Sequence, residues 1–268
     1  MQVSSLSMLF MALSAVLSIG TPIFLFFFLR KRFSMSATPM LVGMAAFVVF
    51  AFILESLVHQ LVLQKSPTGE IALKSQPLLY VLYGIFMAGI FEETARFLSF
   101  HLLKKKYSGI GTGISYGIGH GGVEAVLFAG LSMIGNLVFS MVINSGATAM
   151  LPEAVQGAAL EKITTALTDT ASYMFLLSGF ERIFAITIQI SLSVIVFYSV
   201  FDKGKRWLFP LAILLHAITD CPAAMMQVGV IKNVFIVEGF ALISALLLVY
   251  LAFYTHKKLA RLRHTEED

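Results

Sequence analysis

The chain has 268 residues, of which 58% are apolar and 13% charged, whereas soluble domains carry about 25% charged residues. A water-soluble fold of this length could not bury so much apolar surface, so lipid must solvate much of the chain. The formal net charge is +4. The basic residues lie in short clusters between apolar runs, and this pattern argues against a phosphate-binding face and against nucleic acid as a partner.

Seven apolar runs are long enough to cross a bilayer, which takes about 20 helical residues. The sequence therefore predicts an all-α transmembrane bundle forming a single domain over residues 1–268. The first run lacks a preceding basic region, so we interpret it as an uncleaved span. Between the fourth and fifth spans, residues 144–169 are interpreted as an outer loop with an interfacial helix. The predicted spans cover residues 5–29, 39–63, 77–103, 110–143, 170–200, 207–228 and 233–256.

The basic residues predict the orientation of these spans. Clusters of Lys and Arg follow the first, third, fifth and seventh spans and contain 13 of the 19 basic residues. The segments on the opposite side contain only four. Because positive charge is retained on the cytoplasmic side of a membrane, the N-terminus is expected outside and the C-terminus inside.

Many ionisable residues interrupt the apolar spans. Each costs about 2.5–3.5 kcal/mol on insertion scales, so one or two would be explained as structural pairs. A larger number predicts a polar cavity inside the bundle. The ionisable residues within the spans are Glu55, His59, Glu92, Glu93, Arg96, His120, Glu124, Glu181, Arg182, His216, Asp220 and Glu238.

Three of these residues are expected at one depth. Glu93 and His120 each lie 11 residues from the cytoplasmic end of their span, which corresponds to roughly 16 Å. His216 lies nine residues in, or roughly 14 Å. Packed helices are about 8–10 Å apart, so the three side chains can meet if the third, fourth and sixth spans are neighbours.

Arg96 follows Glu92 by four residues and Glu93 by three, so it can pair with either carboxylate. One carboxylate can then stay ionised while the other faces the cavity. A neutralised structural pair is the alternative for Glu92 and Arg96. For Glu93 a chemical role is favoured.

Two histidines have a carboxylate one turn later on the same helix face. His120 precedes Glu124, and His216 precedes Asp220, by four residues in each case. A carboxylate at that spacing can fix the tautomer of an imidazole. The seven glycines within residues 109–122 predict close helix packing and a loosely wound half-span around His120.

A glutamate and two histidines at one depth suit two related reactions. Glu93 can act as a general base that deprotonates water for attack on a carbonyl group, with His120 and His216 beside it. Alternatively, His120, His216 and Glu93 bind a divalent metal such as zinc, which lowers the pKa of bound water to about 7. Both reactions predict peptide-bond hydrolysis within the membrane. The sequence has no HExxH zinc motif.

Four motifs follow one another on successive spans. They are EETAR at 92–96, GIGHGGVEA at 117–125, FERIFA at 180–185 and HAITD at 216–220. Together they resemble the YhfC family of bacterial intramembrane peptidases and, more distantly, PrsW-type proteases and the prenyl-protein (CAAX) endopeptidase superfamily. The resemblance implies a multi-pass protein of the bacterial plasma membrane and a membrane-embedded peptide or protein substrate.

The resemblance also implies site residues. Paired glutamates, a histidine on the following helix and a late histidine followed by Asn or Asp form the active site of the superfamily. Arg96 and Glu124 lie in the same motifs and complete the candidate set. The superfamily includes metalloproteases and glutamic-type proteases. The resemblance therefore leaves two alternatives, a site that holds a metal ion and a site that works without a cofactor. By this resemblance, the residues that correspond to the active site of the superfamily are Glu92, Glu93, His120, His216 and Asp220.

The chain departs from these patterns at two positions. Two residues separate Glu93 from Arg96, where CAAX enzymes typically have three. Gln189 stands where a histidine is expected in YhfC relatives. Each difference changes one polar group of the expected site.

Two other functions fit the buried ionisable residues. A proton-coupled transporter also uses buried carboxylates and glycine-interrupted spans, but it predicts an internal repeat that the sequence lacks. A non-catalytic scaffold or immunity protein would keep the polar residues for stability alone. Intramembrane peptide hydrolysis is the leading hypothesis because of the shared depth of Glu93, His120 and His216.

Overall fold

The computed structural model of the chain describes residues 2–65 and 71–267. Side chains are described for residues 2–65, 71–149 and 151–258. The protein is 86% helical. Within the described residues there is no β-strand, and Lys65 and Ile71 pair in an isolated bridge. The predicted all-α class is confirmed.

Within the described part of the chain, seven helices are long and apolar enough to cross a membrane, which confirms the predicted number of spans. An eighth, shorter helix lies in the segment where an interfacial helix is predicted, and its position relative to a membrane stays a prediction. The helices are α1 Ser5–Arg30, α2 Ala37–Val62, α3 Pro77–Leu103, α4 Ile110–Ser145, α5 Ala158–Asp169, α6 Ser172–Phe201, α7 Leu208–Gln227 and α8 Val234–Glu267.

Two of the spanning helices contain a π-helical segment. In α2 it covers Val48–Glu55, and in α4 it covers Val126–Gly130. The glycine-rich part of α4, Ile110–Ala125, is a regular α-helix. The expectation of a loosely wound half-span around His120 is therefore wrong, and the widened turns lie after it.

The ends of the helices follow from local chemistry. Pro77 occupies the first turn of α3, where its missing N–H would have no helical partner. Gly146 ends α4 with φ +73°, a left-handed conformation that suits glycine. These signals set the start of α3 and the end of α4.

Large apolar side chains cover the outside of the spans. Leu61, Leu78 and Leu102 have more than two-thirds of their surface exposed. In water such a surface would drive aggregation, whereas in a bilayer it contacts lipid tails. The protein is therefore a membrane protein, although its orientation stays a prediction.

The chain forms two compact units. The first consists of Met1–Phe24 and Glu124–Ile183, and its apolar core lies between the start of α1, the second half of α4, α5 and the start of α6. The buried residues of this core are Val3, Met11, Leu167 and Phe175.

The second unit consists of Leu25–Val123 and Phe184–Asp268. Its core contains aromatic rings from α3, α4 and α6, with Phe100 4.8 Å from Tyr116 and 5.7 Å from Phe197 between ring centres. In this unit α3 packs along α7. The prediction of a single domain stays a prediction.

Close packing of α3 on α7 depends on Gly89. A Cβ atom at this position would lie 2.9 Å from the carbonyl oxygen of Ile213 and 3.6 Å from the Cβ atom of His216. Real Cβ atoms do not approach a carbonyl oxygen so closely, so only glycine permits this helix separation. One turn further along α3 is Glu93, and this contact therefore sets its distance from His216.

Candidate active site

The second unit contains a buried cluster of ionisable side chains on α3, α4 and α7. Glu93, Arg96 and His120 have no exposed surface, and His216 and Glu92 have 3% and 7%. Charged groups buried to this extent require polar partners, because desolvation of an unpaired charge costs several kcal/mol. The partners of each group therefore define the site.

Arg96 lies between the two carboxylates of α3. Its Nη1 donates to Glu93 Oε1 at 2.5 Å, and its Nη2 lies 3.5 Å from Glu92 Oε2. Its Nε donates to Ser193 Oγ at 3.1 Å, and its Nη2 also donates to Gln189 Oε1. Four groups from two helices thus hold the guanidinium in one orientation.

Glu92 binds groups from α4 and α6. His120 Nε2 donates to Glu92 Oε2 at 2.8 Å, and Gln189 Nε2 donates to the same oxygen at 3.0 Å. Because a carboxylate only accepts, the proton of His120 is assigned to Nε2. The other oxygen, Glu92 Oε1, lies 3.9 Å from His216 Nε2. This oxygen is the part of Glu92 that faces the second histidine.

His216 connects Glu93 to the exposed side of the cluster. Its Nδ1 donates to Glu93 Oε1 at 2.7 Å, and its Nε2 lies 3.4 Å from Asp220 Oδ2. The side chain of Asp220 is 42% exposed, whereas that of Glu93 is 0% exposed. The cluster therefore opens at Asp220 and is closed behind Glu93.

The buried charges of the cluster do not cancel. Glu92 and Glu93 carry two negative charges and Arg96 carries one positive charge, so one negative charge is in excess when both histidines are neutral. A proton on His216 would balance it, since carboxylate oxygens face both of its ring nitrogens and can only accept. The arrangement therefore favours a proton or another cation next to Glu92.

The structure brings Glu93, His120 and His216 into the same cluster as Glu92. It also separates the roles of the two glutamates. Glu93 contacts Nδ1 of His216, whereas Glu92 contacts His120 and faces Nε2 of His216. In addition, Glu93 Oε2 is buried without a hydrogen-bond partner among the described residues. The catalytic roles of all these residues stay predictions.

Glu124 belongs to the first unit and has a different partner. Its Oε1 accepts from Arg182 Nη1 at 3.1 Å, and Arg182 Nε also donates to the adjacent Glu181 at 2.7 Å. Arg182 therefore pairs with both Glu181 and Glu124. For Glu181 and Arg182 the sequence favours a structural ion pair or a gate over a catalytic role, and the ion pair is present.

A cavity of ≈ 310 Å³ borders the cluster at Asp220. Glu55 is buried in its wall, and its Oε1 lies 3.2 Å from His59 Nε2. The other ring nitrogen of His59, Nδ1, forms a hydrogen bond of 2.8 Å with the hydroxyl group of Tyr83. Glu55 and His59 are among the ionisable residues from which the sequence predicts a polar cavity, but their position near the outer end of their span did not indicate that they line it together. The i, i+4 spacing of the two residues was the available signal. Other lining residues are Tyr80, Gly84, Ala88, Ala223 and Gln227.

A metal ion in this cluster would need donor atoms that are free to bind it. Among the residues that the structure describes, no group of three or more His, Cys, Asp or Glu side chains is placed to hold a metal ion. The atoms are of the types that zinc binds. However, they are engaged in pairs: His120 with Glu92, and His216 with Glu93 and Asp220. As arranged, the residues do not fit a metal.

Comparison with known proteins identifies relatives over most of the chain. The family model described as "YhfC intramembrane metalloprotease" matches residues 17–241. The chain is 40% identical over 252 residues to the "Uncharacterized membrane protein YhfC" of Bacillus subtilis (strain 168). The match covers 92% of this chain and 96% of that protein. No solved structure matches the chain.

Proposed function

Because the chain belongs to the YhfC family, we propose that it is an intramembrane peptidase that hydrolyses membrane-embedded peptide segments. The family description fits a membrane protease, and the seven spans place the protein in a membrane, for which the bacterial plasma membrane is the natural assignment. The substrate is a peptide or protein segment that reaches the cluster from the lipid phase or through the cavity at Asp220.

The observation that carries this proposal is the contact between two carboxylates and two imidazoles from three spans. Glu92 contacts His120, and Glu93 contacts His216, with every side chain almost fully buried. Glu92, Glu93 and Arg96 leave one negative charge, which a proton on His216 balances. A protonated imidazole beside a carboxylate, at the point where the cluster opens, suits proton transfer.

In the proposed reaction Glu92 acts as the general base. Its Oε1 takes a proton from a water molecule, and the water oxygen attacks the carbonyl carbon of the substrate. His216 in its protonated form then gives a proton to the amide nitrogen as the C–N bond breaks. The products are a carboxylic acid and an amine, and the proton on Glu92 returns to His216. This assignment moves the role of base from Glu93 to Glu92.

Glu93, Arg96 and His120 act as positioning residues in this proposal. Glu93 holds Nδ1 of His216, so that Nε2 is directed towards Glu92 Oε1. Arg96 fixes both carboxylates, and His120 fixes Oε2 of Glu92. No step passes through a metal, since the donor atoms are engaged with one another. Stoichiometric metal in the purified protein would require these pairs to rearrange on binding it.

The cavity at Asp220 supplies water in this proposal. Its volume of ≈ 310 Å³ corresponds to about ten water molecules at the density of the liquid. Polar groups from Glu55, His59 and Tyr83 line it. Hydrolysis inside a bilayer needs such a route, because lipid tails hold almost no water.

A cleavage assay in proteoliposomes tests the proposal. The probes are labelled peptides that each contain one apolar segment of about 20 residues, enough to span a bilayer. For wild-type protein we expect cleavage within the segment. We expect Glu92→Gln to lower kcat by about 10²–10⁴-fold, because the amide has the shape of the carboxylate but takes no proton.

The matched control is Glu161→Gln, the same chemical change at an exposed position of α5. It is expected to cleave at the wild-type rate. Folding of each variant is checked by its thermal unfolding in detergent. Equal cleavage by wild type and the folded Glu92→Gln variant would refute the proposal.

A further inference from the structure

A second cavity, of ≈ 120 Å³, lies in the second unit between the start of α7 and residues 251–258, where the membrane-spanning part of α8 ends. It is lined by the exposed Trp207 and Lys258, by the half-buried Lys205 and Leu251, and by the buried Leu208. It is far along α7 from His216 and contributes nothing to the cluster. A cationic opening above an apolar base is therefore a feature that peptide hydrolysis does not explain.

Among the described side chains, the two lysines of this cavity have no carboxylate partner. In the described part of the chain, no carboxylate oxygen lies within 4.0 Å of either ammonium group. Lys258 Nζ is 5.9 Å from the ring centre of Tyr254. The acidic residue nearest in sequence to Lys205 is Asp202, and its carboxylate accepts from the backbone N–H of Gly204 at 2.9 Å. Two positively charged side chains therefore line the cavity, with no carboxylate paired to them among the residues that the structure describes.

Exposed aromatic residues line this cavity at the ends of two membrane-spanning helices. Trp207 is 57% exposed and Tyr254 is 50% exposed, and both lie at the ends of membrane-spanning helices. Exposed Trp and Tyr side chains at helix ends concentrate at the boundary between lipid tails and water. A ligand of this cavity is therefore expected to have a charged part at that boundary and an apolar part below it.

We propose that this cavity binds an anionic phospholipid. Lys205 and Lys258 hold the phosphate group, and Leu208 and Leu251 contact the first carbons of an acyl chain. Basic pockets between transmembrane helices bind anionic head groups in this way. A zwitterionic phospholipid is disfavoured, because its own ammonium group would approach the two lysines.

Native mass spectrometry of the full-length protein in detergent tests the proposal. The protein is titrated with phosphatidylglycerol or with phosphatidylcholine of the same chain length. Wild type is expected to bind one molecule of phosphatidylglycerol at least tenfold more tightly than phosphatidylcholine. We expect Lys205→Gln/Lys258→Gln to lose that preference.

The control variant is Lys104→Gln/Lys257→Gln, which removes two charges from exposed positions outside the cavity. It is expected to keep the preference within twofold. An equal loss in both double variants would overturn the proposal, since it would show attraction by net charge alone. Displacement of the lipid by an equal concentration of inorganic phosphate would overturn it too, because a lipid site must also bind the chain.

Discussion

At the scale of single residues, Arg96 is the group on which the cluster depends most. It has no exposed surface and contacts both carboxylates of α3. Buried ion pairs contribute little net stability, but the removal of one partner leaves an uncompensated charge in a medium of low dielectric constant. Loss of this one cation would leave two carboxylates, Glu92 and Glu93, side by side.

We therefore expect Arg96→Met to destabilise the protein strongly. The apolar side chain has similar length, so the cost is mainly that of the two unpaired carboxylates, about 3–5 kcal/mol. Arg96→Lys should recover part of the loss, because an ammonium group restores the charge but cannot reach Glu93, Ser193 and Gln189 together. The measurement is unfolding in detergent, followed by circular dichroism.

Arg30→Met provides the comparison for Arg96→Met. Arg30 is exposed at the end of α1, and its replacement should change the unfolding free energy by no more than about 0.5 kcal/mol. If the Arg96 and Arg30 variants unfold alike, the guanidinium is not the compensating charge of the cluster.

The sequence predicted the members of the cluster better than their roles. Depth along each span follows from the rise per residue, which placed Glu93, His120 and His216 at one level. The direction of a side chain depends on the rotation of its helix, and neighbouring residues such as Glu92 and Glu93 point about 100° apart. That rotation is set by packing of α3 on α7, which no local pattern records.

At the scale of helices, the position of His120 depends on the glycine beside it. A Cβ atom at Gly119 would overlap the backbone of Met40 in α2, with the carbonyl carbon at 2.7 Å and the Cα atom at 2.9 Å. Backbone atoms cannot move aside as a flexible side chain can. The approach of α4 to α2 therefore requires glycine at this position.

We expect Gly119→Ala to force α2 and α4 apart and to cost about 1–3 kcal/mol, the range of overpacked cores. Cleavage should fall with it, because His120 moves with the helix and loses its contact with Glu92. Gly135→Ala is the control on the same helix, since nothing lies within 4 Å of a Cβ atom there. Alanine should be neutral or slightly stabilising at that position.

Unfolding in detergent and cleavage in proteoliposomes are measured on both variants. Equal stability of Gly119→Ala and Gly135→Ala would contradict a close contact between α2 and α4.

The spans themselves were predictable, because hydropathy over 20 residues is a local property. The π-helical segment Val48–Glu55 was not, because its apolar sequence reads equally well as an ordinary α-helix.

At the scale of the whole molecule, the distribution of basic residues among the loops and the position of the cavity near Asp220 together predict the side of the membrane from which water enters. The loops rich in Lys and Arg are expected in the cytoplasm. Gln227 and Tyr80, which line the cavity near Asp220, lie at the opposite ends of their helices from those loops. The cavity should therefore fill with water from the outer side of the membrane.

Cysteine labelling tests this expectation independently of cleavage. The one native cysteine, Cys221, is replaced by serine, and Ala223→Cys is introduced in the wall of the cavity. A membrane-impermeant thiol reagent added to intact cells should label this cysteine, because water and the reagent enter from outside. Val230→Cys, in the loop after α7, serves as the positive control for the outer side.

Two further positions make the result decisive. Ala212→Cys lies on the same helix at a position with no exposed surface and should remain unlabelled. Lys257→Cys should be labelled only after the cells are opened, because it belongs to a basic cluster. Labelling of Ala223→Cys only in opened cells would reverse the inferred side of water entry. If Ala223→Cys stays unlabelled on both sides while Val230→Cys reacts, the cavity is closed to water, and hydrolysis would need another route to the cluster.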